Sequence, residues 1–202
     1  MKNTLSTLPF ILAIAVLFSS CVANKEVASL RQVEIKNSKE NVNVCFVKYN
    51  DGTVTYYKSL KLIKGAFKTP HLLADNSIEI YPKEIISYQN QDQYAISQSL
   101  FVNGKKSYVA KEALPGFAVR IAKGQLNVYC KKFYNGQVGV DEYFLQAGNE
   151  GKIYAYTPQL MKSIIRDNYE ALAIFENNIE DMTKKLQATA DVYNNSMLVT
   201  KN

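Results

Sequence analysis

The sequence predicts a β-rich α+β protein: an antiparallel β-meander, as a curved sheet or partly closed barrel, followed by C-terminal amphipathic helices. Turn signals of the Asp-Gly and Asn-Gly type recur through residues 41–157, between stretches rich in Val, Ile, Tyr and Phe. From residue 158 the apolar residues change to helical spacing. A short apolar segment at the N-terminus indicates, in addition, that the chain is exported.

Residues 1–20 have the pattern of a cleaved signal peptide. Lys2 precedes an uninterrupted run of nine apolar residues, 10–18. A membrane-spanning helix needs about 20 apolar residues, whereas about 7–15 are enough for the core of a signal peptide. We therefore expect this segment to direct export and then to be removed.

The junction after the apolar run allows two cleavage sites. The sequence LFSSC at 17–21 resembles the lipobox of bacterial lipoproteins, although Phe18 departs from the Leu most often found there. The resemblance implies that Cys21 becomes the N-terminal residue, with diacylglycerol on its thiol and an acyl chain such as palmitate on its amine. The alternative is ordinary secretion with cleavage after Ala23, because residues 21–23 form a small-x-small triplet.

The cysteine count favours lipidation of Cys21. The chain has three cysteines, Cys21, Cys45 and Cys130, and an odd number in an exported protein needs an explanation. Lipid on Cys21 leaves one pair in an oxidising compartment. A disulfide between Cys45 and Cys130 is one outcome for that pair, and two separately buried thiols is the other.

Residues 21–40 are predicted to form a lipidated N-terminus and a flexible tether, since they are rich in polar and charged side chains. Lys2 is the only charged residue of the signal peptide, so its removal lowers the formal net charge from +6 to +5. This balance favours anionic partners such as lipid headgroups or acidic glycans, and it is too small to indicate nucleic acid.

The predicted β domain, 41–157, contains three dipeptides typical of type I′ hairpin turns. Both central residues of such a turn have positive φ, and its twist matches that of the flanking strands. Each strand then ends near the start of the next, so we expect antiparallel pairing between sequence neighbours. The dipeptides are Asp51-Gly52, Asn103-Gly104 and Asn135-Gly136.

The C-terminal segment, 158–195, is predicted to cover the sheet, because the apolar face of a sheet needs a partner layer. Thr157-Pro158 is typical of a helix N-cap followed by proline in the first turn. Asp167 and Glu170 have the spacing of a capping box, which predicts that a second helix begins there. Asn177-Asn178 would interrupt the helices, and 196–202 would be a tail. The apolar stripe comprises Leu160, Ile164, Ile165, Leu172, Phe175, Ile179, Met182, Leu186, Ala190 and Tyr193.

The residue inventory argues against the common catalytic and cofactor sites. His71 is the only histidine, so a zinc site with two imidazoles is excluded. The sequence contains neither a glycine-rich phosphate loop nor a G-x-S-x-G nucleophile motif. We therefore predict no enzymatic activity, no metal and no cofactor. The 14 tyrosines fit strand propensity, and an exposed row of them could also stack on a ligand.

The order of these segments resembles uncharacterised envelope lipoproteins of Bacteroidetes-type Gram-negative bacteria. The stretches that carry the resemblance are DGTVTYYKSLKL (51–62), LLADNSIEIYPKEIISYQNQDQYAIS (72–97), PGFAVRIAKGQLNVYCKKFY (115–134), EYFLQAGNEG (142–151) and the helical tail. The resemblance implies a lipid-anchored protein of the cell envelope, with the outer membrane as the expected location and neither face specified. It implies no activity.

Two functions fit these predictions. One is a membrane-anchored lipoprotein with a structural or protein-interaction role, whose partner is another envelope protein. The other is a ligand-binding module for a lipid, glycan or peptide, with a barrel-like cavity or a Tyr-lined face. An apolar cavity of about 300 Å³ or more, rimmed by convergent tyrosines, would favour the binding module. A filled core with an exposed apolar patch would favour the interaction role.

Overall fold

The computed structural model describes residues 44–64, 68–102, 114–134 and 139–199. These residues form a curled, mostly antiparallel half-barrel sheet, a second sheet and C-terminal helices, so the predicted fold class is confirmed. The signal peptide, Cys21, the tether and the turns at Asn103-Gly104 and Asn135-Gly136 lie outside the described residues.

Within the described ranges, the chain forms twelve strands, two 3₁₀ turns (Pro82–Glu84 and Gln98–Leu100) and three α-helices. The strands are β1 (Cys45–Tyr49), β2 (Val54–Tyr57), β3 (Leu60–Ile63), β4 (His71–Ala74), β5 (Ile78–Ile80), β6 (Ile85–Gln89), β7 (Tyr94–Ser97), β8 (Phe101–Val102), β9 (Phe117–Ala122), β10 (Leu126–Tyr134), β11 (Gly139–Ala147) and β12 (Ile153–Ala155). The helices are α1 (Pro158–Ile165), α2 (Tyr169–Glu176) and α3 (Met182–Val199).

The main sheet has the order β2-β1-β6-β7-β9-β10-β11-β12-β8 among the described strands. The pair of β12 with β8 is parallel and the other pairs are antiparallel. Strands β3, β4 and β5 form a separate antiparallel small sheet. The predicted pairing of sequence neighbours is correct for the hairpins, but the meander is interrupted where the small sheet leaves it and β1 pairs with β6.

The turn at Asp51-Gly52 joins β1 to β2 as predicted, but it is not of type I′. Gly52 has a φ of +87°, whereas the non-glycine residues with positive φ in the described chain are Asp75 and Asn76. The Asp51 carboxylate instead accepts a hydrogen bond from the Thr53 N–H at 2.8 Å. The two consecutive positive φ values, 47° and 60°, occur at Asp75-Asn76 between β4 and β5.

The main sheet curls strongly toward one face. Lys48 on β1 and Ile153 on β12 line the same cleft, although five strands lie between β1 and β12. Those strands would be about 29 Å apart in a flat sheet with a spacing of about 4.8 Å. Register shifts at Lys48/Tyr49 and Val128/Tyr129 contribute to the curl, because a β-bulge increases local twist and bends the strand. We call the inner side the concave face and the outer side the convex face.

The convex face is covered by two layers. The small sheet packs on one half, with Leu60, Leu72 and Ile80 in one cluster with β1, β6, β7 and β9. The helices pack on the other half, which confirms the predicted cover. Their cluster contains Ala122, Leu126, Val128, Leu145, Met161, Ile165, Ala171, Phe175, Leu186 and Ala190.

The helix boundaries agree with the sequence signals except at the start of α2 and at the end of α3, which runs to Val199 and so into the residues predicted to form a tail. The Thr157 hydroxyl accepts a hydrogen bond from the Leu160 N–H, which caps α1 as predicted. Asp167 does not cap α2. Asn168 takes that position, and its side-chain oxygen accepts from the Ala171 N–H at 2.9 Å. The break at Asn177 is confirmed.

Candidate functional site

Cys45 and Cys130 are both buried on the main sheet, on β1 and β10. Strands β6, β7 and β9 lie between them, a separation of about 19 Å in a flat sheet. Both side chains point to the convex face, where curling increases the distance. A disulfide requires Cα atoms within about 7 Å, so the strand order favours two separate cysteines. Burial raises the pKa of the Cys45 thiol.

His71 is a buried residue of the small sheet. Its Nδ1 lies 2.9 Å from the Thr69 carbonyl oxygen, and its Nε2 lies 3.8 Å from the Glu79 carboxylate. The Tyr81 hydroxyl donates to the same carboxylate and lowers the pKa of Glu79. Because both ring nitrogens already face partners, neither is left to activate a nucleophile. In the part of the chain that the structure describes, no three His, Cys, Asp or Glu side chains could hold a metal together.

A cleft of about 370 Å³ opens on the concave face of the main sheet. One wall comes from β1, β6 and β7, and the other from β11, the turn 148–152 and β12. This volume lies in the usual range for small-molecule sites, about 300–1,000 Å³. The lining residues are Lys48, Ile86, Ser87, Tyr94, Ile96, Leu100, Gln146, Asn149, Glu150, Gly151, Lys152 and Ile153.

Strand alternation and register place the first wall. Lys48 lies opposite Ser87, and Ser87 lies opposite Ile96, so these three side chains form one row across β1, β6 and β7. The residues next to these in the chain, such as Val47 beside Lys48 and Tyr88 beside Ser87, point to the convex core. The row therefore brings a cation, a hydroxyl and an aliphatic side chain to the cleft from three separate strands.

Gln146 holds the second wall in place. Its side-chain oxygen accepts from the Tyr129 hydroxyl at 2.7 Å, and its amide nitrogen donates to the Gly151 carbonyl at 2.8 Å. The Asn127 amide also donates to the Gly148 carbonyl at 3.3 Å. Because these side chains are buried, the turn is tied to the sheet at both ends. Burial raises the pKa of Tyr129 to about 12, so this phenol remains a donor at neutral pH.

An aromatic row continues from the cleft across the concave face. It consists of Tyr94, Phe46 and Tyr56, with ring centroids 6.2 Å and 6.1 Å apart. The Arg120 guanidinium lies 4.0 Å from the centroid of the Tyr94 ring, a cation–π contact. Tyr56 is 60% exposed at the far end of the row. The predicted Tyr-lined face therefore includes Tyr56 and Tyr94.

Other tyrosines in or beside the strands lie elsewhere. Tyr88 is fully buried in the convex core, Tyr57 packs against that core, and Tyr81 contacts His71. The sequence did not indicate Phe46, Lys48, Ser87 or Arg120. Alternation in β1 contains a partial signal, because Phe46 and Lys48 alternate with the buried Cys45 and Val47.

The concave face carries an excess of positive charge near the cleft. Lys48 and Lys152 are exposed at its mouth, and Glu150 is the one carboxylate among the described residues that line it. Deeper on the same face, Lys131 is buried and lies opposite Glu142 in the β10–β11 register. Burial lowers the pKa of Lys131, and the nearby Glu142 carboxylate opposes that shift.

A second cavity, of about 480 Å³, lies beside the small sheet. Its volume is larger than that of the cleft, but its six lining residues are all exposed or half-buried. It therefore offers a ligand no enclosed polar group. These residues are Thr69, Pro70, Tyr81, Pro82, Lys83 and Pro115.

The fold and the cleft together define a curled half-barrel backed by helices, with a small-molecule-sized opening on its inner face. Comparison of the chain with protein-family models, curated proteins and solved structures finds no match. Over the described ranges, none of the helices has both the length and the apolar character needed to cross a membrane.

Proposed function

We propose that the chain is a lipid-anchored, non-catalytic binding protein of the bacterial cell envelope, in the outer membrane, and that its ligand binds on the concave face. The observation that carries the binding role is the cleft of about 370 Å³ with Tyr94 in its wall and the aromatic row beside it. The lipobox-like junction at Cys21 and the odd cysteine count support the anchor.

The cleft favours the binding module over a purely structural role. Its volume of about 370 Å³ exceeds the lower limit of about 300 Å³ for a ligand site. The large apolar side chains that are exposed in the described chain include Val54, Ile78, Tyr169 and Leu198, which belong to both sheets and two helices. Scattered exposed apolar residues are normal on monomers and do not define a protein interface.

The lining of the cleft supports binding without catalysis. General acid–base or nucleophilic catalysis needs a reactive group and a base within hydrogen-bond reach. Among the residues that the structure describes, the lining of the cleft includes one carboxylate, Glu150, and neither histidine nor cysteine. Ser87 is the only serine in this described lining, and no histidine of it adjoins Ser87 to act as a base.

The anchor is tested by labelling cells with a clickable palmitate. We expect the wild-type protein to be labelled and the Cys21→Ala variant to be unlabelled, because the resemblance places diacylglycerol on that thiol. Equal labelling of the two proteins would contradict the anchor. A mature N-terminus at Asn24, measured by intact mass, would identify ordinary secretion instead.

The binding role is tested with arrays of envelope lipids, glycans and peptides. We expect the mature chain to bind one class, and Tyr94→Ala to weaken that binding because Tyr94 lies in the cleft wall. Tyr169→Ala is the matched control, since Tyr169 is 86% exposed on α2 and is not among the residues lining the cleft. No binding to any class, or equal loss in both variants, would contradict the proposal.

A further inference from the structure

Ser87 places a hydroxyl in the wall of the cleft. The residue is 2% exposed, and its register with Lys48 and Ile96 directs the side chain to the concave face. The fully buried side-chain atoms without a partner in the described chain are Gln98 Nε2 and Glu142 Oε2, so the Ser87 hydroxyl is reached from the cleft. It can therefore exchange a hydrogen bond with a polar atom of a ligand.

The charges around Ser87 indicate the sign of that ligand. Lys48 lies directly opposite Ser87 on the neighbouring strand, and Lys152 lies on the facing wall. Neither lysine takes part in any of the ion pairs found among the described residues. Two lysines against the single carboxylate of Glu150 give the described lining of the cleft a net positive charge. A carboxylate at Ser87 would receive a hydroxyl hydrogen bond and a charge-assisted bond from Lys48.

The rest of the lining indicates an aliphatic body. Leu100 is a large apolar side chain that is 44% exposed at the cleft, whereas Ile96 and Ile153 belong to a core cluster and are 8% and 2% exposed. An alkyl chain placed against Leu100 would remove its exposed surface from water.

The strands that form the cleft also argue against an extended peptide. Peptides that add to a sheet bind at an unpaired edge through main-chain hydrogen bonds. Strands β6 and β7 are interior strands, and each is already paired on both sides. Strands β6 and β7 therefore offer side chains and not backbone groups to a ligand.

We infer that the cleft binds a free medium-chain fatty acid, with its carboxylate at Ser87 and Lys48 and its alkyl chain along Ile96, Leu100 and Ile153. The volume of about 370 Å³ is near the lower end of the range for ligand sites, which suits one acyl chain and not a whole phospholipid. This inference rests on the proposed function and specifies the ligand of that same site.

The test is isothermal titration calorimetry with decanoate. The protein is the full mature chain, 21–202, carrying Cys21→Ala so that neither its own lipid nor a detergent competes. We expect saturable binding of decanoate. Decanol, which lacks the carboxylate, and acetate, which lacks the alkyl chain, should each bind at least about tenfold more weakly. Decanol binding as tightly as decanoate would contradict the role of the carboxylate.

Two variants locate the carboxylate. Ser87→Ala and Lys48→Gln should each weaken decanoate binding about tenfold. Ser77→Ala and Lys58→Gln are the matched controls, because both residues are exposed and neither lines the cleft. Lys48 is itself exposed, so Lys48→Gln remains informative even if Ser87→Ala were to unfold the chain. Unchanged affinity in Lys48→Gln would overturn the inference.

The outcome also separates this inference from the function on which it rests. If decanoate fails to bind while a glycan or peptide binds in a Tyr94-dependent manner, the fatty-acid inference is wrong and the binding role stands. If neither decanoate nor any array ligand binds, both are wrong.

Discussion

Substituting Asn194 by alanine should weaken the attachment of α3 to the main sheet. The Asn194 side-chain oxygen accepts from the Leu126 N–H at 2.7 Å, and its amide nitrogen donates to the Leu126 carbonyl at 3.0 Å. Asn194 is 7% exposed and Leu126 is 0% exposed. One side chain near the end of the helix thus satisfies both backbone groups of the first residue of β10.

The expected loss follows from what alanine would leave behind. A buried donor or acceptor that loses its partner costs about 1–3 kcal/mol, so two such groups give about 2–5 kcal/mol after partial relaxation. The free energy of unfolding of a typical domain is about 5–15 kcal/mol, so this loss would be a large fraction of it. The contact also requires Gly124, because a Cβ there would lie 2.3 Å from the Asn194 Cγ. Gly124→Ala should therefore displace Asn194 and destabilise the protein in the same direction.

The measurement is the free energy of unfolding from urea titrations followed by circular dichroism. Asn195→Ala is the matched control, since Asn195 is the next residue of α3 and is exposed. We expect that control to lie within about 0.5 kcal/mol of the wild type. A loss below about 1 kcal/mol for Asn194→Ala, or one equal to that of the control, would refute the argument, since the two bonds would then contribute little net stability.

Two further predictions concern the buried core. Burial raises the pKa of Tyr88 to about 12, whereas an unfolded tyrosine titrates near pH 10. The folded state therefore keeps a proton that the unfolded chain loses, so the contribution of Tyr88, about 3 kcal/mol, should be present below pH 10 and lost between about pH 10 and 12. Tyr88→Phe should flatten that decline in urea midpoints measured against pH, and an unchanged slope would contradict the assignment. Thiol titration of the unfolded, unreduced mature protein should find the thiols of Cys45 and Cys130 intact, because three strands separate them, whereas a count of zero would establish a bridge.

Local chemistry made several elements predictable from sequence. The hydroxyl at Thr157 caps α1, the Asn177 break ends α2, and the alternation in β10 puts Leu126 and Val128 toward the helices and Tyr129 on the concave side. Each of these depends on residues only a few positions apart. The predicted type I′ turn at Asp51-Gly52 was wrong for a similarly local reason. The Asp51 carboxylate accepts a hydrogen bond from the Thr53 N–H, and of the two turn residues only Gly52 has positive φ.

The cleft was not predictable because it depends on pairings between distant segments. Alternation shows that Lys48 and Ser87 each face away from a buried neighbour, but it does not show that β1 pairs with β6. The small sheet lies between those strands in sequence and has no distinct sequence signal. The curl depends on register shifts at Lys48/Tyr49 and Val128/Tyr129, and strands β9 and β10 carry no glycine or proline there to mark them.

The hydroxyl of Ser87 provides a last test that distinguishes a binding site from imperfect packing. If the cleft is only a packing defect, Ser87→Val should stabilise the fold, because it puts apolar surface in place of a hydroxyl at a position that is 2% exposed, and it should change no binding. If the cleft is a binding site, the same substitution should raise the urea midpoint and reduce decanoate affinity together, since binding sites commonly retain polar groups that cost stability. Stabilisation without loss of affinity would assign Ser87 to the core. A joint gain in stability and loss of binding would show that this polar position is kept for its ligand.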